Sequence, residues 1–125
     1  MRGNSMSVKA TVLVIDDERE IRDFLYFILK DKYAVSIMTG AKESLTYMTE
    51  HSVNVVLIDY NMPGIDGITA LGEIKKHYPD TEVIMMTGYA PPDTMRKAFR
   101  LGAFAFLMKP LNIEELIRTI DAALL

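Results

Sequence analysis

The chain has 125 residues, a formal net charge of −3 and no cysteine. This length predicts a single domain that can bury a core of its own. The composition excludes disulfides and thiol catalysis, and the absence of a basic run argues against binding of nucleic acid by this domain.

The sequence carries no signal for a membrane. No apolar stretch approaches the roughly 20 residues that a membrane-spanning helix requires, and the N-terminus lacks the apolar core of a secretory signal. We therefore expect no membrane partner, and a chain without cysteine is compatible with the reducing cytoplasm. Residues 1–8 are short and patternless. They predict either an added leader or a disordered native terminus, with a folded domain over residues 9–125.

Five apolar runs of strand length alternate with five helical patterns along the chain. The runs cover residues 11–15, 33–38, 55–58, 83–86 and 105–108. Apolar residues at helical spacing follow each run: Ile21 to Leu29, Ala41 to Met48, Ile68 to Ile74, Met95 to Phe99 and Ile113 to Leu124. This alternation predicts an α/β fold, a doubly wound sheet of five parallel strands joined by right-handed crossover helices.

Several residues mark the ends of the predicted helices. Asp66 precedes the third helix, and Pro91 and Pro92 precede the fourth. Gly102 has the position of a glycine that ends the fourth helix. Asn112 and Glu115 have the spacing of a capping box at the start of the fifth, with Asn in place of the usual Ser or Thr.

Polar side chains follow four of the predicted strands. The first run is followed by Asp16 and Asp17, the third by Asp59, the fourth by Thr87 and the fifth by Lys109. Two adjacent carboxylates at the end of a buried strand repel each other, and a cation offsets that cost. The residues therefore indicate a hard-metal site for Mg²⁺ or a similar ion. Ligands of such sheets bind beyond the carboxyl ends of the strands.

Each of these residues also has a plainer explanation when taken alone. Asp16 and Asp17 are acids at a helix start, where the helix dipole favours them. Asp59 is an acid that caps the loop after a strand. Lys109 is a solvated lysine before a turn proline. The order of the whole set, with each piece after its own strand, is what separates these explanations from a functional site.

The ordered set resembles the receiver domain of two-component response regulators. The matching segments are Asp16-Asp17, Asp59-Tyr60-Asn61-Met62-Pro63-Gly64, Thr87-Gly88 and Lys109-Pro110. The resemblance covers nearly the whole chain, from Lys9 to Leu125. It implies the flavodoxin-like strand order 2-1-3-4-5 and a cytoplasmic phosphoacceptor switch with intrinsic dephosphorylation, not an enzyme with a separate substrate.

The resemblance also implies a role for each residue of the set. Asp59 would accept a phosphoryl group from a sensor histidine kinase or a phosphotransfer protein. Mg²⁺ would be held by Asp16, Asp17, Asp59 and the backbone carbonyl of Asn61, directly by Asp17 and through water by Asp16. Lys109 would contact the phosphoryl group and would pair with Asp59 before phosphorylation.

A conformational switch is a further implication of the resemblance. Thr87 would sense the phosphoryl group, and Phe106 would move into the space that Thr87 vacates. Phe106 is otherwise simply a core residue. Pro110 would follow a cis peptide bond. The fourth helix, fifth strand and fifth helix would present the changed face and support a homodimer on phosphorylation.

Two other functions fit the sequence less well than this one. An aspartyl-phosphate phosphatase would carry its nucleophile after the first strand in an Asp-x-Asp pattern, which Asp16-Asp17-Glu18 lacks. A receiver-like module that never takes phosphate would have lost an acid or the lysine. Both a stand-alone domain and the first part of a longer regulator fit the sequence. Because the acids repel, we expect Asp16→Ala or Asp17→Ala to stabilise the metal-free fold.

Overall fold

The computed structural model describes residues 8–125, so the predicted leader lies outside the described residues except for Val8. Strands and helices alternate along the chain. The strands are β1 (Thr11–Ile15), β2 (Ala34–Met38), β3 (Val55–Asp59), β4 (Glu82–Thr87) and β5 (Ala105–Met108). The helices are α1 (Arg19–Leu29), α2 (Ala41–Met48), α3 (Gly67–His77), α4 (Pro92–Arg100) and α5 (Ile113–Ala123). None of these helices is long and apolar enough to cross a membrane.

The five strands form one parallel sheet in the order β2-β1-β3-β4-β5. The predicted α/β class, parallel sheet and strand order are confirmed. Ile15 pairs with Ile58, Asp59 with Met86, and Thr87 with Met108. The carboxyl ends of the neighbouring strands β1, β3, β4 and β5 therefore lie at one edge of the sheet.

Two apolar layers cover the sheet, one on each face. Alternation along β3 sends Val56 and Ile58 to one face, and Val55 and Leu57 to the other. The first layer contains buried residues of α2, α3 and α4, and the second contains buried residues of α1 and α5. Every residue of β3 is buried, as expected of a strand that is covered on both faces.

The ends of three strands differ from the prediction by one residue. Tyr33 precedes β2 rather than starting it, whereas Asp59 closes β3 and Thr87 closes β4. Asp59 and Thr87 are polar, so their sequence alone gave no reason to extend the apolar runs. Their backbones nevertheless pair with the next strand.

The helix ends carry the expected capping residues. The Asp66 carboxylate accepts a hydrogen bond from the Thr69 backbone N–H at 2.8 Å, and the Asn112 side-chain oxygen accepts one from Glu115 N–H at 2.9 Å. Gly102, which follows the C-cap residue Leu101 of α4, has a φ of +109°, a conformation that favours glycine. The apolar stripes are less complete than predicted, because Phe24 of α1 and Phe99 of α4 are exposed.

Gly67 brings the start of α3 close to the end of β3. A Cβ atom at this position would lie 2.8 Å from the Tyr60 Cα and 3.1 Å from the Asp59 carbonyl oxygen. Contacts this short with backbone atoms cannot be relieved by a side-chain rotation. Glycine at this position therefore holds α3 against the backbone that carries Asp59.

Asp121 ties the C-terminal helix α5 to the turn before β2. One oxygen of its carboxylate accepts a hydrogen bond from the Tyr33 hydroxyl at 2.7 Å, and the other accepts one from Lys32 Nζ at 2.6 Å. Tyr33 is buried; burial and the Asp121 carboxylate raise its pKa, so its hydroxyl stays a donor. The Lys32 hydrogen bond, followed by that of Tyr33, lowers the pKa of Asp121.

We expect Asp121→Ala to lower the free energy of unfolding by about 1–3 kcal/mol, because it removes the charged acceptor of the partly buried Tyr33 hydroxyl. Since the pKa of Asp121 is lowered in the fold, its contribution is present above about pH 4 and is lost as the pH falls through the lowered pKa. Urea unfolding at neutral and acidic pH measures both effects. The control is Asp31→Ala, which removes only an exposed pair with Lys30; an equal loss in both variants would contradict the proposed tie.

Candidate functional site

Polar side chains from four strand ends meet at the carboxyl edge of the sheet. Asp16 follows β1, Asp59 ends β3, Thr87 ends β4 and Lys109 follows β5. Asp16, Asp59 and Thr87 are all buried, although polar groups are costly to bury without partners. Most of the buried polar side chains in the described residues therefore lie at this edge. Each of them needs a partner that offsets the cost of its burial.

Three carboxylates form the centre of the site. Asp16, Asp17 and Asp59 each offer an oxygen, and these oxygens lie within 4.8 Å of one another. Asp17 is exposed, whereas the other two acids are buried. The sequence predicted these three acids to converge, and the structure brings them together. A compact set of carboxylate oxygens open to solvent on one side fits a hard cation such as Mg²⁺, which keeps some of its water ligands.

Lys109 is the cation that lies among these acids. Its Nζ is 3.0 Å from an Asp16 oxygen, 3.4 Å from a Glu18 oxygen and 3.5 Å from an Asp59 oxygen. Asp59 was expected as its partner, but Asp16 is closer. Burial would lower the pKa of Lys109, yet the hydrogen bond and charge of Asp16, followed by Asp59 and Glu18, outweigh burial and raise it. Lys109 therefore stays charged.

The charge of Asp59 is only partly compensated by its neighbours. Burial raises its pKa first, and the negative charge of Asp16 raises it further. The Asn61 backbone N–H, which donates to an Asp59 oxygen at 3.1 Å, and Lys109 oppose this shift without cancelling it. The ionised form of Asp59 is thus held at a cost, and a further positive charge beside it would reduce that cost.

Asp16 is held in place by two groups that sequence reasoning did not assign to the site. Its side chain accepts a hydrogen bond from the Glu18 backbone N–H at 2.9 Å, and its carbonyl oxygen accepts one from the Arg22 guanidinium at 2.9 Å. Glu18 occupies the N-cap position of α1. Arg22 lies one helical turn beyond Glu18, a spacing that would have indicated their proximity.

Thr87 is tied into the loop that follows β4. Its hydroxyl donates a hydrogen bond to the Tyr89 carbonyl at 2.8 Å and accepts one from the Tyr89 backbone N–H at 3.1 Å. The Asn61 side-chain amide donates to the same hydroxyl at 2.8 Å. Asn61 was predicted to act through its backbone carbonyl, and this side-chain contact was not foreseen.

Phe106 lies on the same face of the sheet as Thr87. It pairs with Met85 in the neighbouring strand, and Thr87 follows Met85 by two residues, so the three side chains share a face. Phe106 is half-buried against the layer of α2, α3 and α4, with its ring centroid 6.4 Å from that of Tyr60. The Lys109–Pro110 peptide bond at the end of β5 is cis.

A family model and known relatives match most of this chain. The family model for the response regulator receiver domain matches residues 12–121. The regulatory protein AtoC of Escherichia coli K12 is 36% identical over 115 residues, which are 90% of this chain and 25% of that protein. The DNA-binding transcriptional regulator NtrC of Klebsiella pneumoniae is 33% identical over 112 residues, 89% of this chain and 24% of that protein. The chain thus spans about a quarter of the length of these curated relatives.

Solved structures share the fold over nearly the whole chain. A response regulator receiver domain protein from Clostridium thermocellum superposes with a TM-score of 0.87 at 37% identity, covering 92% of this chain and 94% of that one. The beryllofluoride-activated NtrC4 receiver domain dimer gives a TM-score of 0.87 at 36% identity, covering 91% of this chain and 95% of that one.

We expect Asp59→Asn to stabilise the metal-free protein by about 0.5–2 kcal/mol, because it removes a buried charge that is poorly compensated. The raised pKa of Asp59 means that the wild type loses stability as the pH rises from about 4 through that pKa. The advantage of the variant should therefore be absent near pH 3 and should grow as the pH rises through the raised pKa of Asp59. Thermal unfolding in a chelator at several pH values measures it.

Three other substitutions test the same cluster. Asp80→Asn, on the exposed turn before β4, is the control and should change little. Asp17→Ala should also stabilise the fold, since Asp17 is exposed and repels the other acids. Asp16→Ala is no longer expected to do so, because Asp16 accepts hydrogen bonds from Glu18 and Lys109. A less stable Asp59→Asn variant at neutral pH would contradict the repulsive cluster.

Proposed function

The chain belongs to the response regulator receiver family, and we propose that Asp59 is the residue at which this signalling switch accepts its phosphoryl group. The observation that carries the proposal is the position of Asp59: a buried carboxylate at the end of a central strand, with Lys109 at 3.5 Å and two further acids beside it. We propose residues 9–125 as the bounds of this receiver domain, of which the family model matches 12–121.

In the proposed reaction a carboxylate oxygen of Asp59 attacks the phosphorus atom of a phosphohistidine on a histidine kinase or phosphotransfer protein. The new bond is an acyl phosphate, and the phosphorus–nitrogen bond of the donor breaks as its imidazole leaves. Lys109 donates from Nζ to a phosphoryl oxygen and stabilises the added negative charge. Its raised pKa supports this role, because it keeps the ammonium protonated.

We propose Mg²⁺ as the cation of the acid cluster, held by Asp16, Asp17, Asp59 and the backbone carbonyl of Asn61. When bound, Mg²⁺ neutralises charge on the carboxylate and phosphoryl oxygens and aligns them. The three converging acids support this assignment. Asp16 is oriented for it by the Glu18 N–H and the Arg22 guanidinium, which hold its side chain and its carbonyl. Later attack of water on the phosphorus atom would break its bond to the Asp59 oxygen, release inorganic phosphate and restore the free carboxylate.

The proposed output of phosphorylation is a change in the face formed by α4, β5 and α5. Thr87 would turn towards the phosphoryl group, and Phe106, on the same face of the sheet, would move into the space released. Phe106 has no hydroxyl, so packing alone would hold its new position. The change is a shift between two states that the domain already samples, weighted by the phosphoryl contacts.

A second copy of this chain is the partner that we propose for the α4-β5-α5 face after phosphorylation. Large apolar side chains are exposed there, notably Phe99 and Phe104, together with Met108 and Ile113. Charged residues of both signs surround them, including Arg100 and Glu114. A solved relative, the NtrC4 receiver domain, is described as a dimer in its beryllofluoride-activated form, which supports the same assembly here.

Acetyl phosphate with Mg²⁺ should label the wild type with an acyl phosphate that hydroxylamine removes. We expect Asp59→Asn to abolish the label while the circular dichroism spectrum stays the same, because an amide is not a nucleophile towards phosphorus. Asp80→Asn is the matched control, an exposed acid whose loss should not affect labelling. Undiminished labelling of the Asp59 variant would exclude Asp59 as the acceptor.

Beryllofluoride with Mg²⁺ should drive dimerisation that sedimentation velocity detects. Because charge pairs contribute to this face, the association should weaken as salt is raised. Phe99→Ala should weaken it further by removing buried apolar area. Phe27→Ala on α1, an aromatic residue that is 70% exposed, is the control and should dimerise like the wild type. An activated protein that stays monomeric at ~100 µM in low salt would contradict the proposed homodimer.

A further inference from the structure

The hydroxyl of Thr87 is fully occupied in this structure. It donates its one proton to the Tyr89 carbonyl at 2.8 Å. It accepts hydrogen bonds from Asn61 Nδ2 at 2.8 Å and from the Tyr89 backbone N–H at 3.1 Å. A hydroxyl has one proton and two lone pairs, so Thr87 has no donor left for a phosphoryl oxygen. Donation to such an oxygen requires it to leave Tyr89.

Asn61 links the end of β3 to the end of β4. Its backbone N–H donates to the Asp59 carboxylate at 3.1 Å, while its side-chain amide donates to the Thr87 hydroxyl and lies 3.5 Å from the Tyr89 carbonyl. Thr87 is buried, whereas Asn61 is exposed. The amide can therefore rotate into solvent and satisfy its hydrogen bonds with water, while the hydroxyl depends on its protein partners.

We propose that the Asn61 carboxamide is a positioning residue that holds the Thr87 hydroxyl in its resting arrangement and so opposes activation. The inference rests on the proposed function, because it takes Asp59 as the phosphoryl acceptor and Thr87 as its sensor. It assigns separate tasks to the two parts of Asn61. The backbone carbonyl remains available to a cation after any substitution, and only the side chain restrains Thr87.

The strength of this restraint is the strength of the hydrogen bond from the Asn61 amide to the Thr87 hydroxyl. A neutral hydrogen bond contributes a factor of about 2–10 to an equilibrium constant, after the competing bonds to water are counted. If the bond exists only in the resting state, its removal shifts the resting–active equilibrium by that factor. The apparent affinity for a ligand of the active state rises by at most the same factor.

The test is the affinity for beryllofluoride in the presence of Mg²⁺, measured by titration of amide chemical shifts. Asn61→Ala should bind about 2–10 times more tightly than the wild type. A residue that merely supported the fold would give weaker binding instead. The gain should disappear in a Thr87→Ala background, which lacks the hydroxyl, and persist in a Thr87→Ser background, which keeps it.

A second measurement needs no phosphoryl mimic. In metal-free protein, a double-mutant cycle on Asn61→Ala and Thr87→Ala should show a coupling of about 2–10-fold in the unfolding constant. The control pairs Asn61→Ala with Thr81→Ala, since the buried Thr81 hydroxyl donates to the Val53 carbonyl instead. That pair should show no coupling.

The outcomes separate the two proposals. A wild type that does not bind beryllofluoride would overturn the proposed function and the restraint together. A wild type that binds it, with an Asn61→Ala variant that binds equally or more weakly, would overturn the restraint and leave Asp59 as the acceptor. Absence of the Asn61–Thr87 coupling would likewise overturn the restraint.

Discussion

The site depends on the repulsion among Asp16, Asp17 and Asp59 and on its incomplete compensation by Lys109. Burial and the charge of Asp16 raise the pKa of Asp59 even though the lysine lies 3.5 Å away. A cluster in which carboxylates outnumber cationic side chains carries excess negative charge, which favours the binding of a further cation. In the proposed function, a cation and the lysine together would offset the negative oxygens of a phosphoryl group at this edge. The free-energy cost of holding these acids together thus favours the binding of a cation beside them.

The two apolar layers of the sheet lie apart from the acids, so they can stabilise the fold and offset the repulsion at the site. Both faces of the central strand β3 are covered, and its residues are all buried. Two buried hydroxyls elsewhere in the described range bond to nearby backbone: Ser44 donates to the Gly40 carbonyl and Thr81 to the Val53 carbonyl. Among the described residues, the buried carboxylates Asp16 and Asp59 therefore both lie at the carboxyl edge.

The sequence was sufficient to predict what periodicity and order determine. Apolar runs predicted the five strands, and the acids and the lysine after them predicted which side chains meet. Periodicity could not show that Asp59 and Thr87 still pair within the sheet. The preference of Lys109 for Asp16, and the hydrogen bond from Asn61 to Thr87, depend on side-chain reach and loop conformation. Such contacts produce no repeating pattern of residues in the sequence, so they can be found only from the structure.

Alternation along β3 and β4 explains how a change at Asp59 could reach the far side of the domain. Asp59 follows Leu57 by two residues and belongs to the face covered by α1 and α5, whereas Thr87 follows Met85 and belongs to the other face. A hydroxyl drawn towards Asp59 leaves space on the α2-α3-α4 side. A close-packed layer does not keep such a space. Phe106 is half-buried on that side, and in the proposed switch it would fill this space and connect the acid cluster to the surface of α4, β5 and α5.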